Sequence, residues 1–133
     1  MANTPTDEPT TVTTRSIPRS EPRSWAWCFT LNNPGSAETT QQALQSAGAS
    51  YGIFQLERVS TNHHQGYVEF ENNKTRTWVR RVLPTAHWEA RKGSQQQAID
   101  YSSKEDSRIA GPWTFGSPRL LAQGKRNDIL DAA

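Results

Sequence analysis

The stretch NHHQGYVEF, Asn62 to Phe70, decides how this chain is read. Alternate side chains of a strand face opposite ways, so His63, Gln65, Tyr67 and Glu69 share one face while His64, Gly66, Val68 and Phe70 share the other. The second set suits a core, and the first sets an imidazole beside a carboxamide. Just upstream, SYGIFQLE reads as a partner strand, and the short connection from Arg58 to Asn62 predicts a hairpin. In that register Glu57 faces His63 and Gln55 faces Gln65, with opposed Cβ atoms about 4.5–5.5 Å apart. Glu57, His63 and Gln65 then converge, and Phe54, Leu56, Val68 and Phe70 form the buried side. A carboxylate, an imidazole and an amide oxygen suit an octahedral Mg²⁺ or Mn²⁺ and make a poor structural zinc site. The same trio also suits an exposed polar sheet face, and spacing leaves both readings open. His64, pointing the other way, is expected to pack or hydrogen-bond.

Working outward, SWAWCFTLNN alternates Trp25, Trp27, Phe29 and Leu31 against Ala26, Cys28 and Thr30, a strand closed by the turn at Asn33-Pro34-Gly35. Ser36 predicts a helix cap, with Glu38 in the first turn, an end near Ala47 and Gly48 just beyond. TRTWVRRVL sets Trp78, Val79, Val82 and Leu83 on one helical stripe, with Arg76, Arg80 and Arg81 largely elsewhere and Pro84 as the stop. AHWEARK alternates again. In SQQQAIDYSSKED, Ser94 and Gln97 predict a capping box and a helix to about Glu105, with a last strand around PWTFG. The order β-α-β-β-α-β-α-β predicts an α+β domain of ferredoxin-like kind.

The chain has 133 residues, enough for one core. Residues 1–24 hold no aromatic residue and are rich in Thr, Pro, Ser and Arg, which predicts a disordered tail. The folded unit is expected over 25–116, with a linker at 117–133. No apolar run nears the roughly 18 residues that span a bilayer, and no signal-peptide core is present, so a soluble intracellular protein without membrane contact is expected. Cys28 is the single cysteine, so neither a disulfide nor a thiolate zinc site can form. The net charge is only +2, yet Lys74, Arg76, Arg80, Arg81, Arg91 and Lys92 stand against Glu89 alone over residues 74–92. That run fits a polyanion partner or a solvated helix face.

In the final helix Ala98, Ile99 and Ser102 make a core face, which turns Tyr101 toward a cleft, with Lys104 three residues on. A phenol is a weak nucleophile unless a cation or base favours its phenolate, and Lys104 with a nearby metal would do so. A tyrosine at a core boundary is the plainer alternative.

Three motifs, FTLNNP (Phe29 to Pro34), HHQG (His63 to Gly66) and YSSK (Tyr101 to Lys104), follow the order and approximate spacing of rolling-circle replication initiators of small circular single-stranded DNA viruses, and the whole resembles the circovirus Rep endonuclease domain. The resemblance implies the HUH endonuclease fold, related to ferredoxin and RNA-recognition folds, with a central antiparallel sheet flanked by helices. It also implies a metal-dependent nickase and strand transferase acting on single-stranded DNA at an origin hairpin in the host nucleus. Tyr101 becomes the nucleophile, Lys104 its helper, and Glu57, His63 and Gln65 the ligands of Mg²⁺ or Mn²⁺. Here His64 replaces the usual hydrophobic residue, and Ser102 stands where many relatives have Cys. Full-length relatives continue into a helicase, and this chain has no G-x-x-x-x-G-K-[ST]. The isolated domain is expected to be monomeric and the full-length protein oligomeric. Asn32 and Asn33 match positions that contact DNA in relatives, and they are equally ordinary turn formers. Arg76, Arg80, Arg81, Arg91 and Lys92 are candidate phosphate contacts. A non-catalytic RNA-recognition-type module shares the element order, but the aromatic signature of such modules is missing.

Overall fold

A computed structural model describes residues 21–121 of the chain. Expectations for residues 1–20 and 122–133 lie outside the described residues. Eight elements follow one another: β1 (Arg23–Asn32), α1 (Ala37–Ser46), β2 (Tyr51–Arg58), β3 (Asn62–Thr75), α2 (Arg76–Val79), β4 (His87–Ala90), α3 (Gln95–Tyr101) and β5 (Arg108–Gly116). The strands form one sheet in the order β4-β1-β3-β2-β5, every neighbouring pair antiparallel. The α+β architecture and element order match the expectation.

The β2–β3 register is the one the alternation predicted, with Glu57 opposite His63 and Gln55 opposite Gln65. Local chemistry also sets the helix starts. Ser36 accepts from the Thr39 amide to cap α1, and Ser94 with Gln97 completes the capping box of α3. Gly48, just past α1, takes the left-handed conformation.

The sheet has a helix layer on each face. On one face α1 and α2 cover Trp27, Phe29, Phe54, Val68, Phe70 and Trp88, the main core. On the other, α3 sets Ala98 and Ile99 against Ala26, Tyr51, Ile53 and Tyr67. Gly66 lies on the main-core face, where a Cβ would stand 2.5 Å from the Phe29 ring and 2.7 Å from the Phe54 Cβ. The glycine of the HHQG motif is therefore a packing requirement between two aromatic side chains.

Four local expectations change. Trp25 leaves the Trp27 face, because a bulge between Ser24 and Ala26 shifts the register and sends it against the Tyr51–Tyr67 cluster. Helix α2 stops at Val79; turns with Arg81 N donating to Trp78 O and Val82 N to Val79 O tighten the chain ahead of Pro84. Helix α3 ends at Tyr101 instead of near Glu105, because the Lys104 carbonyl accepts from Gln55 Nε2 at 2.8 Å and is drawn to β2. The final strand starts at Arg108, well before Pro112, and pairs with β2.

His64 sits between the Phe54 and Trp113 rings and bonds Thr40 Oγ1 of α1 through Nδ1 at 2.9 Å. It is 2% exposed. Burial, aided by the nearby His63, pushes its pKa from 6.5 down to about 4. Its folded value is depressed, so the unfolded chain binds the proton first as pH falls below 6.5, and stability drops through that window. His64→Leu is expected to spare the protein about 3 kcal/mol of acid destabilisation between about pH 7 and pH 4, read from urea unfolding in EDTA.

Candidate active site at the hairpin

Glu57 and His63 stand on opposed strands with His63 Nε2 3.2 Å from Glu57 Oε1. Gln65, two residues along β3, accepts at Oε1 from Thr30 Oγ1 of β1 at 2.9 Å. Three adjacent strands therefore contribute to one polar spot on the α3 face. Glu57 is 2% exposed, and Lys104 Nζ lies 2.9 Å from each of its oxygens. Gln55 Nε2 donates to Glu57 Oε2 at 2.7 Å. Burial acts to raise the Glu57 pKa, but the hydrogen bonds from Lys104 and Gln55 and the Lys104 charge outweigh it and hold the carboxyl below its ordinary range.

Tyr101 closes the arrangement from α3. It is 55% exposed, as the core-face reading of α3 required, and the Lys104 ammonium lies 4.6 Å from its ring centroid. With Gln65, Thr30, Cys28, His87 and Glu89 it lines a pocket of about 300 Å³. A larger depression of about 510 Å³ at α1 and Trp113 lies on the opposite face of the sheet, away from these groups. Lys104 reaches Tyr101 from the turn after α3 instead of from the same helix face.

The donor set fits a hard divalent cation. It offers one carboxylate, one imidazole nitrogen and one amide oxygen, and the carboxylate already attracts a cation in the form of Lys104. Among the described residues no group of three or more His, Cys, Asp or Glu gathers as a metal cage, so the set depends on the Gln65 oxygen. Gln55 Oε1 adds a buried acceptor without a hydrogen-bond partner among the described residues. Pairing opposite Gln65 was legible in the hairpin, but no sequence signal marked Gln55 as a brace for both Glu57 and Lys104.

Residues 24–105 match the family described as "Putative viral replication protein". The chain belongs to this family. It is 41% identical over 106 residues to "Para-Rep C1" of Milk vetch dwarf C1 alphasatellite, covering 79% of this chain and 36% of that protein. It is 37% identical over 107 residues to the "Master replication protein" of Subterranean clover stunt virus (strain F), covering 79% and 36%. With the "Master replication protein" of Banana bunchy top virus it shares 39% over 106 residues, covering 78% and 35%. The chain spans about a third of the length of these curated relatives. The match establishes a viral replication protein domain at family level, and these relatives are not circovirus proteins.

The basic residues do not gather as one surface beside the pocket. Arg80 and Arg81 are exposed at the end of α2, on the opposite sheet face, and Lys92 is exposed after β4. Arg76 Nε donates to the Trp88 carbonyl, and its guanidinium lies 5.9 Å from the Trp27 ring. Arg91 donates to the Gly93 carbonyl and the Tyr67 hydroxyl. Asn32 ends β1 opposite His63, at the rim of the trio, while Asn33 takes φ 50°, a turn conformation asparagine tolerates.

Proposed function

We propose that this domain nicks and rejoins single-stranded DNA at a viral origin hairpin through a 5′-phosphotyrosine link to Tyr101, the initiating reaction of rolling-circle replication in the host nucleus. One observation carries the reading: Lys104 contacts both the Glu57 carboxylate and the Tyr101 ring, which joins the carboxylate–imidazole pair to an exposed phenol. Membership of the viral replication protein family supports it.

Glu57, His63 and Gln65 would hold Mg²⁺ or Mn²⁺, which when bound neutralises and orients the scissile phosphate. The Tyr101 oxygen attacks phosphorus in line, a phosphorus–oxygen bond to the phenol forms, and the bond to the 3′-oxygen breaks. The proton lost by the phenol is balanced by the one gained on the 3′-hydroxyl. Lys104, with its ammonium beside the Tyr101 ring, is the cationic group at hand to assist the transfer, as electrostatic helper or as proton donor to the leaving oxygen. Attack by a 3′-hydroxyl on the phosphotyrosine reverses the step. Arg80, Arg81 and Lys92 are available to backbone phosphates and Asn32 to a nucleotide at the rim, with Arg76 and Arg91 serving chiefly to brace the fold.

The test is incubation with a labelled single-stranded origin loop and Mn²⁺, followed by denaturing electrophoresis. A protein–DNA adduct supports the proposal; DNA binding without adduct supports the RNA-recognition-type alternative. Lys104 and a dication would compete for the same two Glu57 oxygens. Lys104→Met is therefore expected to tighten Mn²⁺ binding about tenfold in calorimetry without DNA, even though it removes a group that assists Tyr101.

A further inference from the structure

Glu69 lies at the far end of the β3 face that carries His63 and Gln65, and it is fully buried at 0% exposure. The mechanism above makes no use of it. Its Oε2 accepts from Tyr67 Oη at 2.6 Å and from Gln95 Nε2, on the first residue of α3, at 2.7 Å. Its Oε1 accepts from the Arg119 amide, in the segment leaving β5, at 2.8 Å. Gln95 Nε2 also donates to the Arg119 carbonyl at 2.9 Å, so these segments are cross-tied. Arg119 donates to the Phe70 and Glu71 carbonyls of β3, and its guanidinium lies 3.7 Å from the Trp25 ring. Arg91 joins through the Tyr67 hydroxyl at 2.9 Å. Among the described residues no lysine or arginine side chain forms an ion pair with Glu69, so backbone and neutral donors satisfy the carboxylate.

We propose that Glu69 is a positioning residue for the Tyr101 reaction: its buried carboxylate ties the start of α3 and the segment leaving β5 to β3, and so sets Tyr101 in place beside Glu57, His63 and Gln65. This rests on the reading of Tyr101 as the nucleophile. The physical reason is satisfaction of a buried charge. If α3 slides along the sheet, Gln95 leaves Glu69 short of a donor in a site without access to water, a costly state. Tyr101 is the last residue of the same short helix, about 9 Å along the axis from Gln95, so a shift at one end is carried to the other. The C-terminal side of α3 is held through Lys104 on Glu57, a contact that a dication would displace. The Glu69 network at the start of α3 survives that displacement, as does the bond from Gln55 Nε2 to the Lys104 carbonyl beyond its end.

The experiment measures single-turnover adduct formation at saturating DNA, with DNA affinity measured separately. Gln95→Ala, at a partly exposed position, is expected to slow adduct formation about tenfold while leaving the DNA dissociation constant within about twofold. Gln95→Lys, which restores a long donor to Glu69, is expected to recover most of the rate. Leu83→Ala, in the opposite core, serves as a destabilised control and is expected to keep the wild-type rate where it remains folded. A Gln95→Ala rate within about twofold of wild type, failure of Gln95→Lys to rescue, or an equal loss in Leu83→Ala overturns the positioning role. Persistence of the adduct in Tyr101→Phe overturns the nucleophile assignment instead.

Discussion

Tyr101→Phe is expected to reduce covalent adduct formation by about 10³-fold or more, to background, because the substitution deletes the only atom that forms the new bond. Little else should change. Tyr101 is 55% exposed, and its hydroxyl has no hydrogen-bond partner among the described residues, so the phenyl ring keeps its place beside the Lys104 ammonium. Affinity for the origin loop should stay within about twofold and the unfolding midpoint should hardly move. Binding by fluorescence anisotropy and adduct yield on a denaturing gel, measured on the same preparation, check both halves. An adduct from the Phe variant would mean that another side chain attacks.

Glu57→Gln is the second large effect. It removes a direct candidate ligand, so Mn²⁺ affinity, and adduct formation at fixed Mn²⁺, are expected to fall by at least about 100-fold. It also removes the partner of Lys104. Breaking one side of a buried ion pair ordinarily costs about 3–5 kcal/mol, but the Lys104 side chain is 28% exposed and can turn to water, so a loss of about 1–2 kcal/mol is expected at neutral pH. The sign with pH follows from the lowered carboxyl pKa. A depressed folded value contributes stability above the unfolded value, and that contribution disappears as pH falls through the folded value. The stability gap between wild type and Glu57→Gln should therefore close in acid, as pH falls below the ordinary carboxylate range and through the lowered folded value, as read from urea unfolding in EDTA. A gap that persists in acid would show that shape, and not charge, is what Glu57 supplies to the fold.

The two substitutions probe different links. Tyr101 tests the chemistry at a solvent-facing group, and Glu57 tests the electrostatic centre to which Lys104, Gln55 and His63 all turn. A domain that merely bound nucleic acid would tolerate both, losing at most the stability tied to the Lys104 pair.

Much of this arrangement was legible along the chain because it is local. Strand periodicity and the short β2–β3 connection were enough to pair Glu57 with His63 and Gln55 with Gln65, since slipping by one residue would turn Phe54, Val68 and Phe70 out of the core. Ser36 and Ser94 announced their helices because caps act within one turn. The burial of Ala98 and Ser102 against the exposure of Tyr101 followed from helical spacing. Other features depend on how distant segments pack, and no periodicity encodes that. Lys104 meets Glu57 across 47 positions, and the pull of Gln55 on the Lys104 carbonyl is what ends α3 early. The bulge at Ser24–Ala26 moves Trp25 to the other face, and the sheet separates Arg80 and Arg81 from the pocket although Arg91 and Lys92 are near them in sequence. Glu69 looked like one more polar residue in an alternating strand. Only the closing of α3 and the segment after β5 over β3 buries its carboxylate and surrounds it with donors, because a charge can be kept from water only where several parts of the chain supply hydrogen bonds together.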